Sequence, residues 1–153
     1  MTSESPWRGL FYGTLAVGTL DALDAVIFFG FRGATPIRIF QSIAAGLLGR
    51  AAFSGGLPAA ILGVILHYFI AFGIVLTYYA ASRRIGVLRR HPIACGIAYG
   101  VVVYFVMNFV VIPLSAAAGG RFVLPVFLNG IAIHMFGVGL PAAWFTTRAD
   151  ARR

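Results

Sequence analysis

Four apolar runs, each close to twenty residues or longer, constrain this chain more than any other feature. They cover 10–31, 57–81, 93–112 and 122–145. About twenty residues at 1.5 Å per residue cross the ~30 Å of hydrocarbon in a bilayer. A barrel strand would alternate polar and apolar residues, and none of these runs does. The expected fold is therefore all-α: a polytopic membrane protein with four transmembrane helices forming a single domain. Only 10% of the 153 residues are charged, against about a quarter in soluble domains. The first run holds two aspartates and is about twice as long as a signal-peptide core, so it reads as an uncleaved span.

The positive charge is twelve arginines with no lysine, against four acids. These arginines flank the apolar runs and have no apolar-free face on which to build a groove, which argues against nucleic acid as a partner. Arg8, Arg83, Arg84, Arg89, Arg90, Arg148, Arg152 and Arg153 fall on one side of a four-span chain, and Arg32, Arg38, Arg50 and Arg121 on the other. The excess of eight over four predicts that both termini are cytoplasmic. Trp7, Tyr12, Tyr78, Tyr79 and Trp144 fall near the same interface, where amphipathic rings prefer to sit. Cys95 is the only cysteine, so no intrachain disulfide can form.

Within 36–51 the apolar residues Ile37, Phe40, Ile43, Ala44, Leu47 and Ala51 recur at helical spacing, with Arg38, Gln41 and Arg50 off the stripe. This predicts a short helix in the first outer loop, either lying in the interface or packed over the bundle. Gly55 and Gly56 end it.

An internal repeat runs through the spans. Leu57-Pro58, Gly63, His67 and Phe69 recur as Leu124-Pro125, Gly130, His134 and Phe136. Gly9, Tyr12, Gly13 and Asp21 recur as Gly96, Tyr99, Gly100 and Asn108. The expectation is two tandem helical hairpins related by a pseudo-two-fold axis along the membrane normal. Gly9-x-x-x-Gly13 and Gly96-x-x-x-Gly100, with Gly63 and Gly130, are candidate packing positions, because small residues let backbones approach where packing drives association.

The candidate functional residues are the polar ones inside the spans: Asp21, Asp24, His67, His134 and Asn108. Asp21 and Asp24 share one face of the first span, about 4.5 Å apart along its axis. A charge at the bilayer centre costs a few kcal/mol, so such groups face the bundle interior and seek partners. The repeat suggests Asp21 with His67 and Asn108 with His134, or the two histidines facing each other. As packing elements these groups fix helix register, at roughly 0.6–2 kcal/mol per hydrogen bond. As chemistry, carboxylates and imidazoles in a dry interior are the parts of a proton relay. Two histidines on different helices could also ligate haem, or join the aspartates around a divalent metal. No local ligand motif supports a cofactor, and no nucleophile-base constellation, P-loop or lysine argues for an enzyme. Pro113 is expected to close the third span and Pro141 to kink the fourth.

His67, the span ending at Tyr78-Tyr79, Gly96-x-x-x-Gly100, Met107-Asn108, Pro113-Leu114-Ser115 and His134 together resemble the YagU-like family of bacterial inner-membrane proteins, over residues 57–145. The resemblance implies four spans in the inner membrane and carries no established activity. The functional expectation is a small transport or channel-like protein for protons or a small cation, working as a homo-oligomer or with a partner. The alternatives are a non-catalytic accessory subunit of a larger membrane complex, whose arginine-rich face contacts anionic lipid, and a haem or metal protein.

Overall fold

The computed structural model describes residues 6–117 and 119–151, with side chains over 7–117 and 119–147. Arg152, Arg153 and the side chain of Arg148, all used above for orientation, lie outside the described residues. The described chain is helical, in the order α1 (Pro6–Gly30), α2 (Pro36–Leu48), α3 (Gly56–Arg84), α4 (Gly86–Arg90), α5 (Pro92–Val106), α6 (Ile112–Leu114), α7 (Leu124–Ile133) and α8 (Leu140–Ala151). A 3-10 segment, Gly49–Ser54, follows α2, and π turns at Met107–Val111 and His134–Gly139 join α5 to α6 and α7 to α8. Four helices are long and apolar enough to cross a membrane: Trp7–Gly30, Gly56–Arg84, Pro92–Leu114 and Leu124–Thr147. They match the four apolar runs to within a few residues.

Local chemistry sets the ends. The Thr35 side chain accepts a hydrogen bond from the Arg38 backbone N–H at 3.3 Å and caps α2, with Pro36 in its first turn. Gly33 (φ +88°) and Gly49 (φ +58°) turn the chain out of α1 and α2 in the left-handed region that glycine enters without strain. Large apolar side chains point outward. Phe31, Phe69 and Phe109 are 91%, 71% and 71% exposed, a surface suited to lipid and not to water.

Where helices meet, glycine lets the backbones touch. A Cβ on Gly100 would fall on the carbonyl group of His134, and one on Gly139 on the Gly96 carbonyl oxygen and the Gly100 nitrogen. The third and fourth spans therefore cross in backbone contact, as the second glycine motif predicts. Gly63 plays the same part beneath the Phe40 carbonyl of α2. Gly13 and Gly130 meet side chains instead: a Cβ on Gly13 would lie 3.0 Å from Val75 Cγ1, and one on Gly130 2.6 Å from the Tyr104 ring. Gly9 is buried.

The first span packs against both the second and the fourth, and the third packs against the fourth. The second and third spans stand apart, joined by side chains: the Tyr99 hydroxyl donates to the Ile74 carbonyl at 2.7 Å, and the Tyr78 and Tyr99 rings meet edge to face. A strict pseudo-two-fold axis would pack the second span on the third as closely as the first on the fourth.

The expected stripe on 36–51 is partly displaced. The helix ends at Leu48, and its buried positions are Ile39, Gln41, Ala44 and Ala45, while Ile37 and Leu47 are exposed. Buried Gln41 donates to the Gly56 carbonyl at 2.9 Å, and the Ala116 N–H donates to the Gly46 carbonyl at 2.9 Å. These bonds tie α2 to the ends of the second and third spans. It covers the bundle through Ile39, Gln41, Ala44 and Ala45, and leaves Ile37 and Leu47 of the stripe exposed.

Valine at Gly100 is expected to destabilise the protein by at least about 1–3 kcal/mol, the usual cost of overpacking, because the obstacle is backbone and cannot rotate away. Alanine at Gly73, which has nothing within 4 Å of its missing Cβ, is expected to be neutral or to stabilise by about 0.5–1 kcal/mol. Thermal unfolding of both variants in detergent checks the pair.

Candidate functional site

All five intramembrane polar residues line one interior space. It has two chambers, of about 530 Å³ and about 210 Å³. Asp21, Ile43, Asn108, Ile112 and His134 line both. The larger chamber also reaches Asp24 and extends to Phe29, Ala34, Arg38 and Phe53 at the α2 end of the bundle. The smaller chamber adds His67 and ends among Val17, Ala71 and Val138. Those residues belong to the apolar core, with Leu10, Val75 and Tyr78 beyond them. The space therefore reaches one end of the bundle and stops against a packed plug at the end carrying the chain termini.

The histidines are held in related ways. His67 Nε2 lies 2.7 Å from the Gly18 carbonyl oxygen, and His134 Nδ1 lies 2.9 Å from the Gly130 carbonyl oxygen. A carbonyl can only accept, so each of these nitrogens carries the hydrogen. The second nitrogen of each ring makes no hydrogen bond among the described residues. On His67 that nitrogen is Nδ1, 4.0 Å from Asp21 Oδ2. This is too long for a hydrogen bond. Edge-on aromatic rings fix both imidazoles: Tyr68 and Phe40 beside His67, and Tyr104 beside His134.

Asp21 is the centre of this arrangement. His134, His67 and Asp24 all lie within electrostatic reach of it. No described side chain hydrogen-bonds its carboxylate. Asp24 is held differently: Asn129 Nδ2 donates to its Oδ2 at 2.7 Å. The expected pairing of Asn108 with His134 is not made. Asn108 Nδ2 donates to the Tyr104 carbonyl of its own helix at 2.9 Å, and His134 likewise bonds within its helix. Short local acceptors one turn away win over a partner on another helix. The Asp21–His67 juxtaposition is formed, and Asp21 serves the second histidine as well.

Asn108 and His134 share a further property, since both lie on the π turns Met107–Val111 and His134–Gly139. Pro113 and Pro141 follow these turns. A proline clashes with the carbonyl four residues earlier, at Phe109 and Gly137, and a wide turn relieves that conflict. Pro113 stands one residue before the end of the third span, as expected.

Asn129, Arg38, Ser42 and Tyr104 line the larger chamber and were not among the sequence-derived candidates. Asn129 is the only asparagine in the fourth run, and that polarity was a usable signal. Arg38 and Ser42 reach the space only because α2 folds over it. Among the described residues, no three His, Cys, Asp or Glu side chains stand close enough together to hold a metal ion. Comparison of the chain with family models, curated proteins and solved structures gives no match.

The geometry makes the chamber accessible from the α2 end. In a Cys95→Ala background, cysteine at Ser42 is expected to react with a water-soluble maleimide. Cysteine at Val75, which is fully buried in the plug, is expected to stay unlabelled under the same conditions.

Proposed function

We propose that this chain is a small carrier of protons or another small cation in the bacterial inner membrane, with Asp21 as its central titrating group. One observation carries the reading: an aspartate that accepts no side-chain hydrogen bond among the described residues lines an interior space beside two histidines, each held through one ring nitrogen to a backbone carbonyl. Asp24, held by Asn129, supplies a second carboxylate on the route to the α2 end. Asn108, on its π turn, adds a polar wall. The closed plug at the other end suits a carrier that exposes its site to one side at a time better than an open channel.

In this reading the chain forms two tandem hairpins with both termini cytoplasmic, following the arginine excess. The first outer loop places α2 at the outer interface, over the mouth of the space. The bundle is small for a private pathway, so the working unit is a homo-oligomer or includes a partner. The bacterial inner-membrane assignment leans on the motif likeness to the YagU-like family.

The test is flux in proteoliposomes under imposed pH and voltage gradients. Wild-type protein is expected to dissipate the proton gradient, and the folded Asp21→Asn variant to fall to the protein-free background. Asp24→Asn is expected to slow flux while leaving it measurable. A well-folded wild type that carries nothing under either gradient would overturn the proposal and favour the accessory-subunit reading.

A further inference from the structure

The size and chemistry of the cavity say more about the cation. A proton relay needs a chain of donors and acceptors, and a few waters fill its gaps. A desolvated metal ion needs several ligands converging at short range. Neither need accounts for a space of this size. The larger chamber alone is about 530 Å³, within the range of pockets that enclose small organic molecules. Among the described residues no three potential metal ligands converge.

The polar groups are few and concentrated, and the remaining wall is apolar. Phe29, Phe53, Val126 and Ile133 line the larger chamber beside Asp24 and Asp21. This is the usual plan of an organic-ligand site, in which an apolar body is gripped by walls and a small polar cluster fixes one end.

We infer that the cation taken by this cavity is organic: a small protonated primary amine with an apolar or aromatic body. Asp21 and Asp24 are about 4.5 Å apart along the helix axis. One ammonium nitrogen with charge-assisted hydrogen bonds of ~2.8 Å can reach carboxylates at both levels. Asn129 occupies Oδ2 of Asp24, leaving Oδ1 for the ligand. Asp21 has no described hydrogen-bond donor, so an ammonium supplies what its carboxylate lacks. The apolar body then points toward Phe29 and Phe53. Arg38 is the one guanidinium on this wall. It stacks 4.7 Å from the Phe53 ring centre, in the first turn of α2, while two carboxylates line the same chamber.

This inference rests on the cation reading of the same site, and the two can fail separately. The experiment is calorimetric titration of the full chain in mild detergent with 2-phenylethylamine and with 2-phenylethanol, which matches it in size and lacks the charge. The amine is expected to bind more than about tenfold tighter than the alcohol. Asp24→Asn and Asp21→Asn are each expected to weaken the amine by a similar factor and to leave the alcohol unchanged. Equal affinities for amine and alcohol in the wild type, or no binding of either, would overturn the inference without recourse to any variant. Proton flux in liposomes without amine binding leaves transport standing and removes the organic cation. Amine binding without flux of either species upholds the ligand and removes transport.

Discussion

In lipid, the apolar surface of one helix has no reason to leave its solvent for that of another. What holds this bundle together is close approach, and between spans it is clearest at the crossing of the third and fourth, at Gly96, Gly100 and Gly139. There the two backbones meet with no side chain between them. That contact lies beside the π turn that begins at His134. The position of His134 in the cavity therefore depends on the absence of a Cβ at Gly100. Gly63 under Phe40 does the equivalent for α2. It brings Arg38 and Ser42 to the mouth of the same space.

The interior polar groups make sense against this background. Helices held by backbone contact on one side of the bundle leave a gap on the other, where the second and third spans stand apart. The gap is where Asp21, His67, Asn108 and His134 meet. Polar groups that would be unstable facing lipid share an enclosed volume, and each is positioned by a local bond to its own or a neighbouring backbone. The exception among the described residues is Asp21, whose carboxylate accepts no side-chain hydrogen bond and lies near His134, His67 and Asp24.

Much of this was legible in the sequence because it depends on short-range properties. Span positions follow from length and hydropathy. The glycine contact at Gly96 and Gly100 follows from spacing four apart. The membership of the site follows from the rule that intramembrane charge turns inward. What could not be read depends on how helices are arranged. The repeat predicts matched pairs, but Asn108 found its acceptor one turn away, and Asp21 took up both histidines. Which face of α2 is buried was not legible, because Gln41, a polar residue, is buried by a bond to Gly56 that only the fold creates. Arg38 and Asn129 entered the site through that same tertiary placement.

The two π turns have a consequence for the shape of the site. A π turn carries about one residue more than an α turn, so the helix beyond it is rotated by roughly 100° relative to an unbroken α-helix. In the fourth span, the stretch from Leu140 onward, with Ala142 and Ala143 in the plug, is thus indexed separately from the stretch that carries Asn129. Absorbing the extra residue into regular α-helix would turn one half of the span against the other, like a screw advanced by a fraction of its pitch. His134, where the turn begins, and the plug residues Ala142 and Ala143 beyond it would then shift relative to each other, so the turn links the polar centre of the cavity to its closed end.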